Sequence, residues 1–177
     1  DNGSCTFGPA NDLCAGALLL QVNAAATAST NVGTCLEGTN PNCGGTGIKD
    51  VWFKFVYNGG PVTISTNFTG GTLNDTRLAV WSACGGAQLY CNDDIGGTNY
   101  KSLITIPCGA LTLGATYYIQ AGGYNAATGT FSIRVTAPVE TCNGVDDNCN
   151  GQIDEGFDAD GDGYTTCAGD CDDNNNA

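Results

Sequence analysis

The chain has 177 residues, enough for one domain of common size with a small appendage. Hydrophobic residues make up 41% of it, which is the ordinary share for a globular protein and excludes a wholly disordered chain. The formal net charge of −13 argues against nucleic acid or an anionic membrane as a partner.

The negative charge is concentrated in the C-terminal part of the sequence. Eleven of the 18 acidic residues lie from Glu140 onward, where there is no Lys or Arg. The first 139 residues carry the other seven acidic residues and all five basic ones, so they are close to neutral. The acidity is therefore a property of the tail.

The cysteine content indicates an oxidising compartment. Eleven cysteines occur without a CxxC pair and without any histidine, which favours disulfides over a metal–thiolate site. The sequence starts at Asp1 and not at Met, as expected if a signal peptide has been removed. The longest apolar run, near residues 15–22, is too short to span a membrane. We therefore expect a secreted protein, extracellular or at the cell surface, with no direct membrane insertion.

The predicted elements begin with the run ALLLQVN at residues 17–23, which favours a strand, with a short helix as the alternative. Further apolar-rich runs follow between clusters of Gly, Asn and Thr, and several alternate with period two, as when one face is in a core and the other faces solvent. Residues 1–139 are therefore predicted to be all-β, a jelly-roll-like antiparallel sandwich of about eight strands. The other predicted strands are residues 50–57, 61–67, 77–83, 101–107, 115–122 and 129–137.

The pattern changes after Val139, where apolar residues become scarce, so residues 140–177 are predicted to be a separate, helix-poor tail. A twelve-residue repeat runs through this tail, with oxygen-bearing side chains at its first, third and fifth positions and Gly at the sixth position of the first two copies. This is the front half of an EF-hand-type calcium loop. Residues of this kind, hard oxygen ligands without imidazole, predict Ca²⁺ as the bound ion.

The back half of each loop departs from the EF-hand, because Phe157 and Gly169 stand where a bidentate Glu is expected. Asp158 and Asp170 follow one residue later, and we expect each to close one loop and open the next. Gln152 and Tyr164 would offer backbone carbonyls. The predicted calcium ligands are Asp146, Asn148, Asn150, Gln152, Asp154, Asp158, Asp160, Asp162, Tyr164, Asp170, Asp172 and Asn174.

The segments ETCNGVDDNCNGQIDEG and DADGDGYTTCAGDCDD resemble the metal-binding repeat found at the ends of many secreted bacterial surface proteins, which is similar to thrombospondin type 3 calcium repeats. The preceding part, through DVWFKF, LAVWSACGG and ATYYIQAGGY, resembles more loosely the β-sandwich modules of such proteins, including pre-peptidase C-terminal-type domains. That second resemblance implies a non-catalytic module.

Cysteines that are close in sequence are candidates for disulfides that close small loops. These pairs are Cys84 with Cys91, Cys142 with Cys149 and Cys167 with Cys171. Cys14 with Cys35 is a further guess, although sequence does not determine connectivity. Because eleven is odd, one cysteine is free, pairs between chains or has lost its partner.

Three further groups of residues have a functional and a plain interpretation. Asp93 and Asp94 could hold another ion with Asp50 or Asp75, or could simply belong to a turn-rich loop. The sequons at Asn2, Asn67 and Asn74 keep glycosylation open. Exposed Trp81, Tyr100 and Tyr124 could stack on sugar rings, although such residues more often belong to the core or rim of a sandwich.

An enzyme is not expected, because the sequence has no histidine, no GxSxG and no Gly-rich phosphate loop. Two function classes remain. The first is a calcium-binding structural protein assembled head to tail as a homo-polymer, because the third repeat stops short of a full ligand set. The alternative is a secreted, non-catalytic carbohydrate-binding or adhesion module of a larger protein, with surface glycans as partners. The repeat would simply continue if residues follow Ala177.

Overall fold

The architecture is a sandwich of two β-sheets, seen in a computed structural model that describes residues 8–36, 40–158 and 164–168. The five-stranded sheet has the order β1-β3-β8-β5-β6 and the four-stranded sheet the order β2-β9-β4-β7. The strands are β1 (Leu18–Leu19), β2 (Thr27–Thr30), β3 (Lys49–Val56), β4 (Val62–Ser65), β5 (Thr76–Trp81), β6 (Gln88–Asn92), β7 (Leu103–Ile106), β8 (Thr116–Gly123) and β9 (Thr130–Thr136).

Strand pairing is antiparallel except between β1 and β3, which run parallel. The helical residues among those described form short 3-10 turns, and none of these is long or apolar enough to cross a membrane. The prediction of an all-β sandwich is therefore confirmed. The run at residues 17–23 gives a strand of two residues, preceded by a 3-10 turn at Cys14–Gly16.

The core lies between the two sheets and follows the alternation in the sequence. In β9 every second residue is buried, and in β3 the inward residues Val51, Phe53 and Phe55 are fully buried. Phe53 meets Phe131 of the opposite sheet edge-on, with ring centroids 6.5 Å apart. Such an edge-to-face pair stabilises a core beyond the burial of its area.

The outer face of the five-stranded sheet is also covered. The alternation in the sequence predicted that one face would be exposed to solvent. Every residue of β5 is buried, and Trp52 and Trp81 on the outer face are 3% and 7% exposed. The segment before β1 lies over this face, where Asn11 and Trp52 exchange two hydrogen bonds. A second apolar cluster therefore forms outside the main core.

The predicted cysteine pairs are wrong. Cys84 bonds Cys14 and not Cys91, because Cys84 lies in the β5–β6 turn, whereas the segment before β1 crosses the same outer face. Cys91 bonds Cys43. Because Cys14 bonds Cys84, it is not the partner of Cys35, which is disulfide-bonded to another cysteine. Cys142 bonds Cys167, which excludes the predicted partners Cys149 and Cys171. Cys149 bonds Cys108.

The beginning of the tail is docked on the sandwich. The Cys108–Cys149 disulfide joins the segment after β7 to the first repeat of the tail. The carbonyl oxygen of Asn148 lies close to Gly59 and Gly60, both with positive φ, and a Cβ at either glycine would stand 3.1 Å from that oxygen. These two glycines allow an approach that any side chain would obstruct.

Removing the Cys108–Cys149 disulfide should release the tail and leave the sandwich folded. A crosslink over 41 residues contributes about 4 kcal/mol in the chain-entropy account. In a Cys108→Ser, Cys149→Ser variant we expect faster cleavage of the tail by a Glu-specific protease, followed by mass spectrometry. The Cys14→Ser, Cys84→Ser variant is the control and should keep the tail protected. Equal cleavage rates in both variants would contradict this account.

Candidate functional site

One end of the five-stranded sheet gathers most of the ionisable residues of the sandwich. Asp75 immediately precedes β5, and Asp93 and Asp94 immediately follow its antiparallel neighbour β6. One carboxylate oxygen from each of these three residues lies within 4.8 Å of the others. We call this group the carboxylate cluster. The structure therefore brings together three of the four acidic residues suggested by the sequence.

The fourth residue, Asp50, lies at the start of β3 and is fully buried. Its Oδ2 accepts a hydrogen bond of 2.8 Å from Gln120 Nε2. Arg77 is also fully buried nearby. Burial lowers the pKa of its guanidinium, and the negative charges of Asp93 and Asp50 partly oppose this shift. The structure thus places Asp50 in a polar core beside Arg77 and not in the carboxylate cluster.

The carboxylate cluster is electrostatically unfavourable without a bound cation. Asp75 Oδ1 and Asp93 Oδ1 are buried and accept no hydrogen bond from the described residues. Burial is the main cause that raises the pKa of both carboxyls, and the charge of Asp94 raises both further. Lys101 opposes the shift at Asp75, and Arg77 opposes it at Asp93, but neither reverses it.

A buried set of hydroxyl groups holds this end of the sandwich together. The Oγ1 atoms of Thr66 and Thr76 are 2.6 Å apart, and Ser102 Oγ is 3.1 Å from that of Thr76. Ser102 Oγ also lies 2.8 Å from the carbonyl oxygen of Asp93, to which it donates. The hydroxyls connect both sheets, so the backbone carrying Asp93 is well positioned.

Residues 40–47 form the loop over this end, and Arg77 organises it. The guanidinium donates to the carbonyl oxygens of Gly44 and Gly47 and to Asn40 Oδ1, the last two at 2.9 and 2.6 Å. The Cys43–Cys91 disulfide attaches the same loop to β6. The loop is therefore fixed by one buried cation and one covalent bond.

The three aromatic candidates differ in exposure. Trp81 is buried against Trp52, and its Nε1 donates to Gln120 Oε1, so the expected exposed Trp81 is wrong because the outer face is covered. Tyr124 is half-buried and packs against Gly45. Tyr100 is 50% exposed, and its carbonyl oxygen accepts a hydrogen bond from Thr76 N, next to Asp75. Of these three residues Tyr100 is the exposed one, and its backbone lies next to that of β5, which follows Asp75.

Two of the sequons lie at this end. Asn67 and Asn74 are exposed, and Asn67 Oδ1 accepts a hydrogen bond of 3.3 Å from Asn99 Nδ2. Asn2 lies outside the described residues. The same end of the sandwich therefore combines an exposed ring, side-chain amides and carboxylates.

The first loop of the tail has the turn expected of its repeat. Asp146 accepts hydrogen bonds from the backbone N–H groups of Asn150 and Gly151, at 3.1 and 2.8 Å. Asn148 Oδ1 accepts from Asn150 N, and Asn150 Oδ1 accepts from Gln152 N. The side chains at the first, third and fifth positions thus all bond to the backbone of their own loop.

Two acidic residues of the tail that were not predicted as ligands accept hydrogen bonds from its backbone. Glu140 accepts from Asn148 N and Asp154 N, at 2.7 and 3.2 Å. Asp147 accepts from the backbone and hydroxyl of Thr141, and these bonds lower its pKa. No spacing rule points to either residue, because neither falls on a ligand position of the repeat.

The remaining predicted ligands are only partly within the described residues. Asp158 and Tyr164 are described, and the Tyr164 side chain is 65% exposed. Asp160, Asp162, Asp170, Asp172 and Asn174 lie outside the described residues.

The comparisons with known proteins identify the sandwich. The sequence model of a T9SS-associated family, described as galactose binding domain-like, matches residues 10–135. No curated protein matches the chain in sequence. The matched residues include all nine strands except the last residue of β9, and they exclude the tail.

Replacing Asp75 by Asn should stabilise the protein at neutral pH in the presence of a chelator. The raised pKa values mean that the folded state keeps protons that the unfolded chain releases, so stability falls as pH rises from 3.8 through the raised values. With solvent screening allowed for, we expect Asp75→Asn to gain about 0.5–1 kcal/mol at pH 7.5. Thermal unfolding by circular dichroism measures this difference.

The pH dependence supplies the control for this variant. Because the pKa values of the parent carboxyls are raised, these groups take up protons more readily as the pH falls, so the difference in unfolding temperature between the two proteins should shrink toward pH 4. A destabilised Asp75→Asn variant at pH 7.5, or a gain that does not change with pH, would contradict the electrostatic explanation.

Proposed function

Because the chain belongs to the T9SS-associated family of galactose binding domain-like proteins, we propose that it is a secreted, non-catalytic carbohydrate-binding module of the bacterial cell surface. The association with T9SS indicates a secreted or cell-surface protein. The family match over residues 10–135 is the observation that carries this proposal. It favours the carbohydrate-binding class over the filament class.

The proposed sugar site is the end of the sandwich that bears the carboxylate cluster. The half-exposed ring of Tyr100 offers an apolar face to the C–H groups of a sugar ring. Asn67 and Asn99, which are hydrogen-bonded to each other, offer amide groups to sugar hydroxyls. Asp94 is exposed and adds a carboxylate acceptor. A few polar groups around one apolar platform are typical of a small-ligand site.

Sugar binding is tested by isothermal titration of D-galactose and lactose into the full chain. We expect Tyr100→Ala to weaken binding about fivefold, as for the loss of about 1 kcal/mol of ring contact. Tyr164→Ala is the matched control, because Tyr164 is an exposed tyrosine of the tail. No binding of either sugar would count against the proposal, and equal weakening in the two variants would count against this location.

Calcium is the ion proposed for the tail. Its first loop carries carboxylate and amide oxygens at alternate positions, and the sequence from Glu140 onward has no Lys or Arg to balance them. This set of hard oxygen ligands fits Ca²⁺, which takes six to eight ligands in flexible geometry. A bound ion would neutralise the repulsion between neighbouring carboxylates and order the tail. Asp146, Asn148 and Asn150 are the residues of the first loop that would hold it.

Head-to-tail assembly through the tail stays a prediction, with sedimentation velocity as its test. If ions join subunits, the protein should sediment as large particles in millimolar calcium and dissociate after excess chelator. A monomer in both buffers would exclude the filament and leave the ions as internal staples. The carbohydrate-binding proposal does not depend on this result.

A further inference from the structure

We propose that Glu155 is the carboxylate that closes the first calcium site of the tail, in place of the predicted Asp154. The inference rests on the proposed binding of calcium by the tail. It concerns a residue that the EF-hand spacing does not select, because Glu155 is tenth when Asp146 is counted as first, whereas the expected Glu is twelfth.

Two side chains of the first loop converge at Glu155. Asn150 Nδ2 donates to Glu155 Oε1 at 2.6 Å, and Asn148 Nδ2 donates to the same oxygen. Asn148 and Asn150 occupy the third and fifth positions of the repeat, which are ligand positions in a calcium loop. Glu155 is therefore the acidic side chain that meets the predicted ligands.

The second oxygen of Glu155 has no hydrogen-bond donor among the described residues. Glu155 Oε2 is buried, and leaving a charged acceptor without a partner is costly. No Lys or Arg occurs from Glu140 onward, so the tail itself offers no cationic side chain. A divalent cation would satisfy this oxygen and balance the charge of Glu155.

Asp154 is already engaged in a different contact. It is 5% exposed, and its carboxylate accepts hydrogen bonds from the backbone N–H groups of Asn143 and Gly144, at 3.1 and 2.9 Å. These contacts hold the turn at residues 143–144. Both carboxylate oxygens of Asp154 thus accept backbone N–H groups, whereas Oε2 of Glu155 is buried and has no donor among the described residues.

Glu155 also lies where the tail meets the sandwich. It lines a cleft of about 400 Å³ together with Asn58 and Gly59 of the β3–β4 turn and Val139 before the tail. Asn148 lines the same cleft, and its carbonyl oxygen approaches Gly59 and Gly60. An ion held by Glu155 and Asn148 would therefore fasten the tail to the sandwich as well as order the loop.

The test is isothermal titration of CaCl₂ into the decalcified full chain, with Glu155→Gln compared with the parent. Gln keeps an acceptor for the two Asn amides but loses the charge. We expect Glu155→Gln to weaken one calcium site about 10- to 100-fold, as for loss of a key group at a metal site. In chelator its unfolding temperature should equal or exceed that of the parent, because no ion is lost there.

Two further variants separate binding from general charge and from folding. Asp147→Asn removes the same charge from a neighbouring carboxylate and should change calcium affinity by no more than about threefold. Asp154→Asn should lower the unfolding temperature in chelator and keep the number of calcium sites.

The inference is overturned if Glu155→Gln binds calcium as tightly as the parent, or if Asp147→Asn loses as much affinity as Glu155→Gln. A lower unfolding temperature of Glu155→Gln in chelator, with unchanged affinity, would assign it a purely structural role. A parent chain that binds no calcium would overturn both this inference and the calcium proposal, while sugar binding would remain measurable separately.

Discussion

The pairing of β8 with both β3 and β5 determines where the functional groups of the sandwich lie. Because β8 is antiparallel to both neighbours, its last residues stand beside the first residues of β3 and β5, as Gly123 does opposite Lys49 and Thr76. Asp50, Arg77 and Tyr124 are consequently brought to one end, and β6 adds Asp93 and Asp94 there. The polar site is thus a direct result of strand register.

The tail is ordered in a different way from the sandwich, because it has few apolar residues and no Lys or Arg. Its order in the structure comes from carboxylates that accept backbone N–H groups, as Asp146, Glu140 and Asp154 do, and from two disulfides. Bonds from a charged acceptor to backbone donors are among the stronger hydrogen bonds in proteins. They fix the loop but do not remove the net negative charge of the tail.

The sequence predicted the parts of the fold that depend on local pattern. Alternation located β3, β8 and β9, whose inward residues form the core. The strand predicted at residues 77–83 corresponds to β5, but the burial of both faces of β5 was not predicted, because the segment that covers its outer face leaves no periodic signal in β5. The strands β2 and β6 were missed: TAST has a single apolar residue, and QLYCN is a short run of five residues.

For the candidate sites, the sequence predicted some of the residues but not how the fold brings them together. The acidic residues after Cys91 were recognised from composition, but their convergence with Asp75 needed the β5–β6 register. The disulfides were misassigned because the cysteines were paired by proximity in sequence. In the structure, the chain brings together cysteines that are 25 to 70 residues apart. The loop spacing predicts Asp154 as a ligand, whereas in the structure Asp154 accepts a backbone N–H group and Glu155 accepts the side-chain amides of Asn148 and Asn150.

The Cys108–Cys149 disulfide also has a mechanical meaning. Tension applied to the tail beyond Cys149 passes through the sulfur atoms to Cys108 and continues along the backbone before it. The intervening residues, which include β8 and β9, are outside this covalent load path. The strand that pairs with both β3 and β5 is therefore shielded from stretching, so a module on a cell surface could be pulled by its tail without losing the center of its larger sheet.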